Sequence, residues 1–187
     1  MATLWQTRYG GSLIAALGAV LLPFAAPNSE LMWFFAALIC FVAVVALRSE
    51  ERWHASIPAL FVWTLIAVNL RFIDGVPGVL SVGVFYLAAS ALARWQVDPY
   101  VGTHPLRALV VSQAIAILLV EGLLVMYFWP INFPSRALLV TILGLLAYEV
   151  VAFQEAGTLS WRAILPSVGM GALVMAAVVR TADWFGL

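Results

Sequence analysis

The run Ala108-Leu-Val-Val-Ser-Gln-Ala-Ile-Ala-Ile-Leu-Leu-Val-Glu121-Gly-Leu-Leu-Val-Met-Tyr-Phe-Trp129 decides the class of this chain. Its twenty-two residues contain one charged side chain, Glu121. At about 1.5 Å rise per residue such a segment is long enough to cross a bilayer as a helix, and lipid leaves its backbone no other way to satisfy its polar groups. Alternating polarity over about ten residues, the mark of a membrane β-barrel strand, is absent from it.

Six further apolar runs surround it. They cover 10–26, 31–47, 57–73, 79–95, 137–153 and 163–179. The expectation is therefore an all-α, polytopic integral membrane protein: one domain, a bundle of about seven transmembrane helices. Composition agrees. Hydrophobic residues make up 65% of the 187 residues and charged residues 10%, against about 25% charged in a soluble domain, and mean hydropathy is +1.06.

Short connections join the runs. Pro27 to Glu30, Asp74 to Gly78 and Pro130 to Arg136 are too brief for anything but antiparallel neighbours. Gln96 to Arg107 is the longest connection, and its two prolines and one glycine predict turns rather than helix. Pro23 and Pro166 predict kinks in the first and last spans.

Every cationic side chain is Arg. Arg8, Arg48, Arg52, Arg94, Arg107 and Arg162 fall on one side of the spans, and Arg71, Arg136 and Arg180 on the other. By the positive-inside rule the N-terminus is cytoplasmic and the C-terminus external, in the cell membrane. Trp5, Trp53, Trp95 and Trp161 mark one interface and Trp33, Trp129 and Trp184 the other, where an indole sits best; Trp63 alone is mid-span. The first apolar run lacks a clear cleavage site and is read as a retained span rather than a signal peptide.

Several functions are excluded or disfavoured. With no Lys, a retinal Schiff base is impossible. Zero net charge and the lack of a basic cluster argue against nucleic acid as a partner. Cys40 is the single cysteine, so no intrachain disulfide or thiolate metal site forms. No Walker loop, HExxH or GxSxG is present. No cofactor, metal site or catalytic residue is expected, since no three polar groups gather at one depth.

Small residues spaced four apart offer packing faces: Ser12/Ala16 and Ala15/Ala19, Ala89/Ala93, Ser167/Gly171 and Ala172/Ala176. The sequence leaves open whether these faces pack internally or against another subunit.

Two glutamates carry the functional signal. Glu121 lies about 10 Å from the outer end of its run, where a carboxylate needs protonation or a partner. Arg71 and Asn69 are the candidates at similar depth. Glu149 lies about 6 Å from the cytoplasmic end of its run, within the expected reach of Arg94, Arg107 or Gln113. A cytoplasmic partner would meet the loops carrying Arg52, His54, Asp98, Tyr100, His104 and Arg107. Sparse interior polarity and apolar faces favour a non-catalytic membrane subunit that packs against other membrane proteins within the lipid bilayer. The alternative is a carrier of a small solute, ion or lipophilic ligand that uses Glu121.

Overall fold

The computed structural model describes residues 9–25, 36, 38–40, 42, 52–70, 77–101 and 104–180. Among them there is no strand. Six helices follow in order: α1 (Gly10–Ala25), α2 (Trp53–Leu70), α3 (Gly78–Val101), α4 (Pro105–Tyr127), α5 (Phe133–Glu155) and α6 (Trp161–Arg180). Ala36, Leu38 to Cys40 and Val42 are also helical; the rest of the 31–47 run lies outside the described residues, as does Arg71. The last four helices, α3 to α6, are long and apolar enough to cross a membrane, and α1 and α2 are shorter apolar helices.

Helix α2 forms the centre. It is apolar all round, which is the composition of a helix buried on every side, and it packs against α1, α3 and α5. From Ala59 to Asn69 all but one of its residues are buried. Two of its polar side chains bond its own backbone: Thr64 Oγ1 donates to the Leu60 carbonyl at 2.7 Å and Asn69 Nδ2 to the Leu65 carbonyl at 2.8 Å.

Glycine and alanine set the helix spacing. A Cβ on Gly18 would lie 2.6 Å from Val62 of α2, so α1 and α2 approach at that point as only glycine allows. Trp63 lies beside it and donates from Nε1 to the Ile14 carbonyl at 3.0 Å, which accounts for an indole in the middle of an apolar helix. Ala15 and Ala19 are buried within the chain's own bundle, as are Ala89 and Ala93. Gly144 of α5 receives Leu60 and Leu119 in the same way. Helix α6 is peripheral: Gly171 faces Ile142 and Leu146 of α5, while Ala172 and Ala176 are exposed.

The connection from α3 to α4 corrects the expectation for 96–107. Helix α3 runs through Pro99 to Val101, and α4 begins at Pro105. Proline at position 99 has no N–H for the carbonyl of Trp95 one turn earlier. Arg52 supplies the missing donor, its Nη1 bonding the Trp95 carbonyl while the guanidinium stacks 5.0 Å from the centre of the Trp95 ring. The helix therefore continues past a residue that would otherwise end it.

Both ends of the bundle are tied. At one, Arg94 bridges Asp98 at 2.9 Å and donates to the Pro105 carbonyl at 3.0 Å, and Arg107 bridges Glu155 at 2.7 Å. Helix α5 stops here in a Schellman turn: Gly157 has φ +66°, its N–H bonds the Gln154 carbonyl, and the Thr158 N–H bonds the Phe153 carbonyl. At the other end, buried Arg136 donates to the carbonyls of Ile131 and Trp129, each at 3.0 Å, and Asn132 caps α5 by accepting from the Ser135 N–H at 2.9 Å.

Candidate functional site

The two glutamates occupy different surroundings. Glu121 is six residues from the end of α4 at Tyr127, about 9 Å along the axis. Its side chain is exposed. Around it on the same face lie Val110, Ala114, Ile117, Leu124 and Phe128, all exposed, with Ile117 at 50% and Phe128 at 82%. Neighbouring Gly122 faces inward, where a Cβ would meet Leu143 of α5 at 2.6 Å. Glu121 thus points away from the bundle while the next residue seats α4 against it. Of its expected partners, Asn69 bonds the backbone of its own helix, and Arg71 lies outside the described residues.

Glu149 sits six residues from the end of α5, also about 9 Å along the axis. It is half-buried and lines a cavity of about 420 Å³ between α3, α5 and α6. Gln96 and Tyr100 come from α3, Leu145, Tyr148, Glu149 and Ala152 from α5, and Ser167 from α6. Gln96 is held by Ser56 of α2, whose hydroxyl donates to Oε1 at 2.9 Å. Tyr148 is only 4% exposed, and its hydroxyl has no hydrogen-bond partner among the described residues.

This corrects three expectations. Arg94 and Arg107 do not pair with Glu149, because Asp98 and Glu155 hold them. Gln113 does not bond Glu149 either: its Oε1 accepts from Tyr86 and, at 3.4 Å, from Ser90, both on α3. Finally, several polar groups do share a depth. Tyr148 and Ser167 were missed because each is an ordinary helical residue alone. The signal available was positional: Gln96, Tyr148, Glu149 and Ser167 each lie five to seven residues from the same end of their helices.

The residues expected to face a cytoplasmic partner gather at this end, on helix termini more than on a loop. Asp98 and Tyr100 are in the last turn of α3, His104 is the exposed residue preceding α4, Arg107 is in its first turn, and half-buried His54 is in the first turn of α2. Burial pushes the Arg52 guanidinium pKa down, and nearby Asp98 and Tyr100 push it back up.

A second cavity of about 530 Å³ lies in the groove between α4 and α5. Its wall is apolar, with Val110, Ala114 and Leu118 on one side and Leu143, Ala147 and Val150 on the other. Among the described residues no three His, Cys, Asp or Glu side chains are grouped to hold a metal ion. No protein family, curated protein or solved structure matches this chain.

Proposed function

We propose that this protein is a non-catalytic subunit of a membrane protein complex, and that α4 receives a partner's transmembrane helix around Glu121. In this reading the chain crosses the cell membrane seven times, with its N-terminus in the cytoplasm, its C-terminus outside, and Glu121 nearer the outer surface.

The observation that carries the proposal is an outward carboxylate on an apolar face. A charged side chain at the centre of a membrane helix costs about 2.5–3.5 kcal/mol, and nothing within the described residues offsets Glu121. The exposed positions 110, 114, 117, 121, 124 and 128 repeat at spacings of four and three. That is the heptad pattern by which one helix seats against another, and a single polar residue within such a seam sets its register. The fitting partner is an apolar helix with an Arg, Asn or Gln donor at the depth of Glu121. Hydrogen bonds between membrane helices contribute about 0.6–2 kcal/mol, enough to select one register over its neighbours. A carrier that used Glu121 would need a pocket there, and Glu121 lines neither cavity described above.

The test is copurification. Full-length tagged protein, extracted from its own membranes in mild detergent, should bring down a membrane protein in fixed stoichiometry. Glu121→Leu should lose that partner while the subunit keeps its thermal midpoint. No stoichiometric partner for the wild type, or an unchanged partner with Glu121→Leu, rejects the reading.

A further inference from the structure

The cavity between α3, α5 and α6 has features that subunit packing does not require. Its wall is partly polar, with Gln96, Tyr100 and Ser167 among the residues that line it. Glu149 adds an acceptor with no ion pair among the described residues. Three arginines at the same end are engaged elsewhere, Arg94 with Asp98, Arg107 with Glu155, and Arg52 with the carbonyl and ring of Trp95, and Arg162, in the first turn of α6, is exposed.

We propose that this cavity binds a monovalent organic cation, a protonated amine on a small apolar body. The ammonium group donates to the Glu149 carboxylate, and the apolar body lies along Leu145 and Ala152. The carboxylate disfavours anions. A divalent metal would require several oxygen ligands from charged groups, and Glu149 is the single carboxylate in the wall. Tyrosine rings at positions 100 and 148 suit a cation, whose charge is attracted to an aromatic face. The volume is at the small end of the range of about 300–1,000 Å³ typical of ligand pockets. The depth fits too: at about 9 Å from the helix ends, an amphiphilic amine keeps its head near the interface and its body in the apolar layer.

The experiment uses full-length protein in nanodiscs of zwitterionic phosphatidylcholine, so that the lipid surface does not attract cations itself. Naphthylmethylammonium, naphthylmethanol and naphthoate are titrated by naphthalene fluorescence. The ammonium should bind saturably and about tenfold or more tighter than the alcohol, the ratio expected of one charge-assisted hydrogen bond, and naphthoate should not bind. Glu149→Gln should abolish that preference at an unchanged thermal midpoint, and Glu149→Asp should retain it. Ala152→Phe fills the cavity without touching the carboxylate and should remove binding of both ammonium and alcohol, which keeps the test open if Glu149→Gln fails to fold. Equal affinities for ammonium and alcohol, a preference that survives Glu149→Gln, binding that survives Ala152→Phe, or no saturable ammonium binding overturns the proposal.

Discussion

Glu121 and Glu149 lie at equal distances from opposite ends of adjacent helices, each in an apolar stretch, yet the fold treats them oppositely. Glu121 projects from a bare face of α4 among Ile117, Leu124 and Phe128. Glu149 lines a cavity walled by side chains from three helices. Loose structure does not explain the difference, because both ends of the bundle are tied by arginine. What differs is the surround. Glu149 has α3 and α6 on either side of it, whereas beyond Glu121 the chain supplies no further helix among the described residues. Under the two proposals, what lies opposite each polar group sets its role: a ligand's place for Glu149, another protein's for Glu121.

The largest effect that would sharpen this contrast is on assembly. Glu121→Leu should abolish copurification of the partner, whereas Glu149→Leu should leave the partner's recovery unchanged; equal losses from both would break the comparison. In the isolated protein Glu121→Leu should hold or raise the thermal midpoint, since it removes an uncompensated carboxylate from the apolar face.

Next comes the frame around the Glu149 cavity. Arg52→Met removes the donor to the Trp95 carbonyl and should cost about 1.5–3 kcal/mol, the worth of a hydrogen bond to a charged group. Pro99→Ala restores the helical N–H to that carbonyl. The double variant should recover part of the loss in denaturant or thermal unfolding; strictly additive effects would show that Arg52 does not stand in for the missing donor.

At the opposite end, Asn132→Ala should cost about 1 kcal/mol by removing the cap of α5, and should leave amine binding at the Glu149 cavity untouched. The smallest change is in the cavity itself. Tyr148→Phe deletes a buried hydroxyl with no partner among the described residues, so the ligand-free protein should gain up to about 1 kcal/mol in thermal stability. A clear loss would mean that the hydroxyl is satisfied in the free protein.

Much of the fold was legible in the residues. Six of the seven apolar runs fall on the six described helices, because lipid-depth segments must be helical, but hydropathy marks the apolar portion rather than the helix: α3 was expected at 79–95 and extends to Val101. Pro99 read as a breaker because its remedy lies 47 residues earlier, in Arg52, and no local pattern announces it. The small-residue spacing of Ala15 and Ala19 showed a packing face but not its partner; only the three-dimensional arrangement assigns it to this chain's own bundle. The candidate sites were half legible. The chemistry of Glu121 and Glu149 could be named from their depth, whereas the convergence of Gln96, Tyr148 and Ser167 depends on which helices are neighbours.

Photocrosslinking in native membranes tests the central claim most directly. A photoreactive amino acid is placed at Ile117, one turn from Glu121 on the outward face of α4, and as a control at Leu80, an exposed position near the start of α3. The account predicts a discrete protein adduct from position 117 that disappears when Glu121→Leu is added, and only lipid adducts from position 80. Only lipid adducts from both positions, or a protein adduct from 117 that persists with Glu121→Leu, would contradict it.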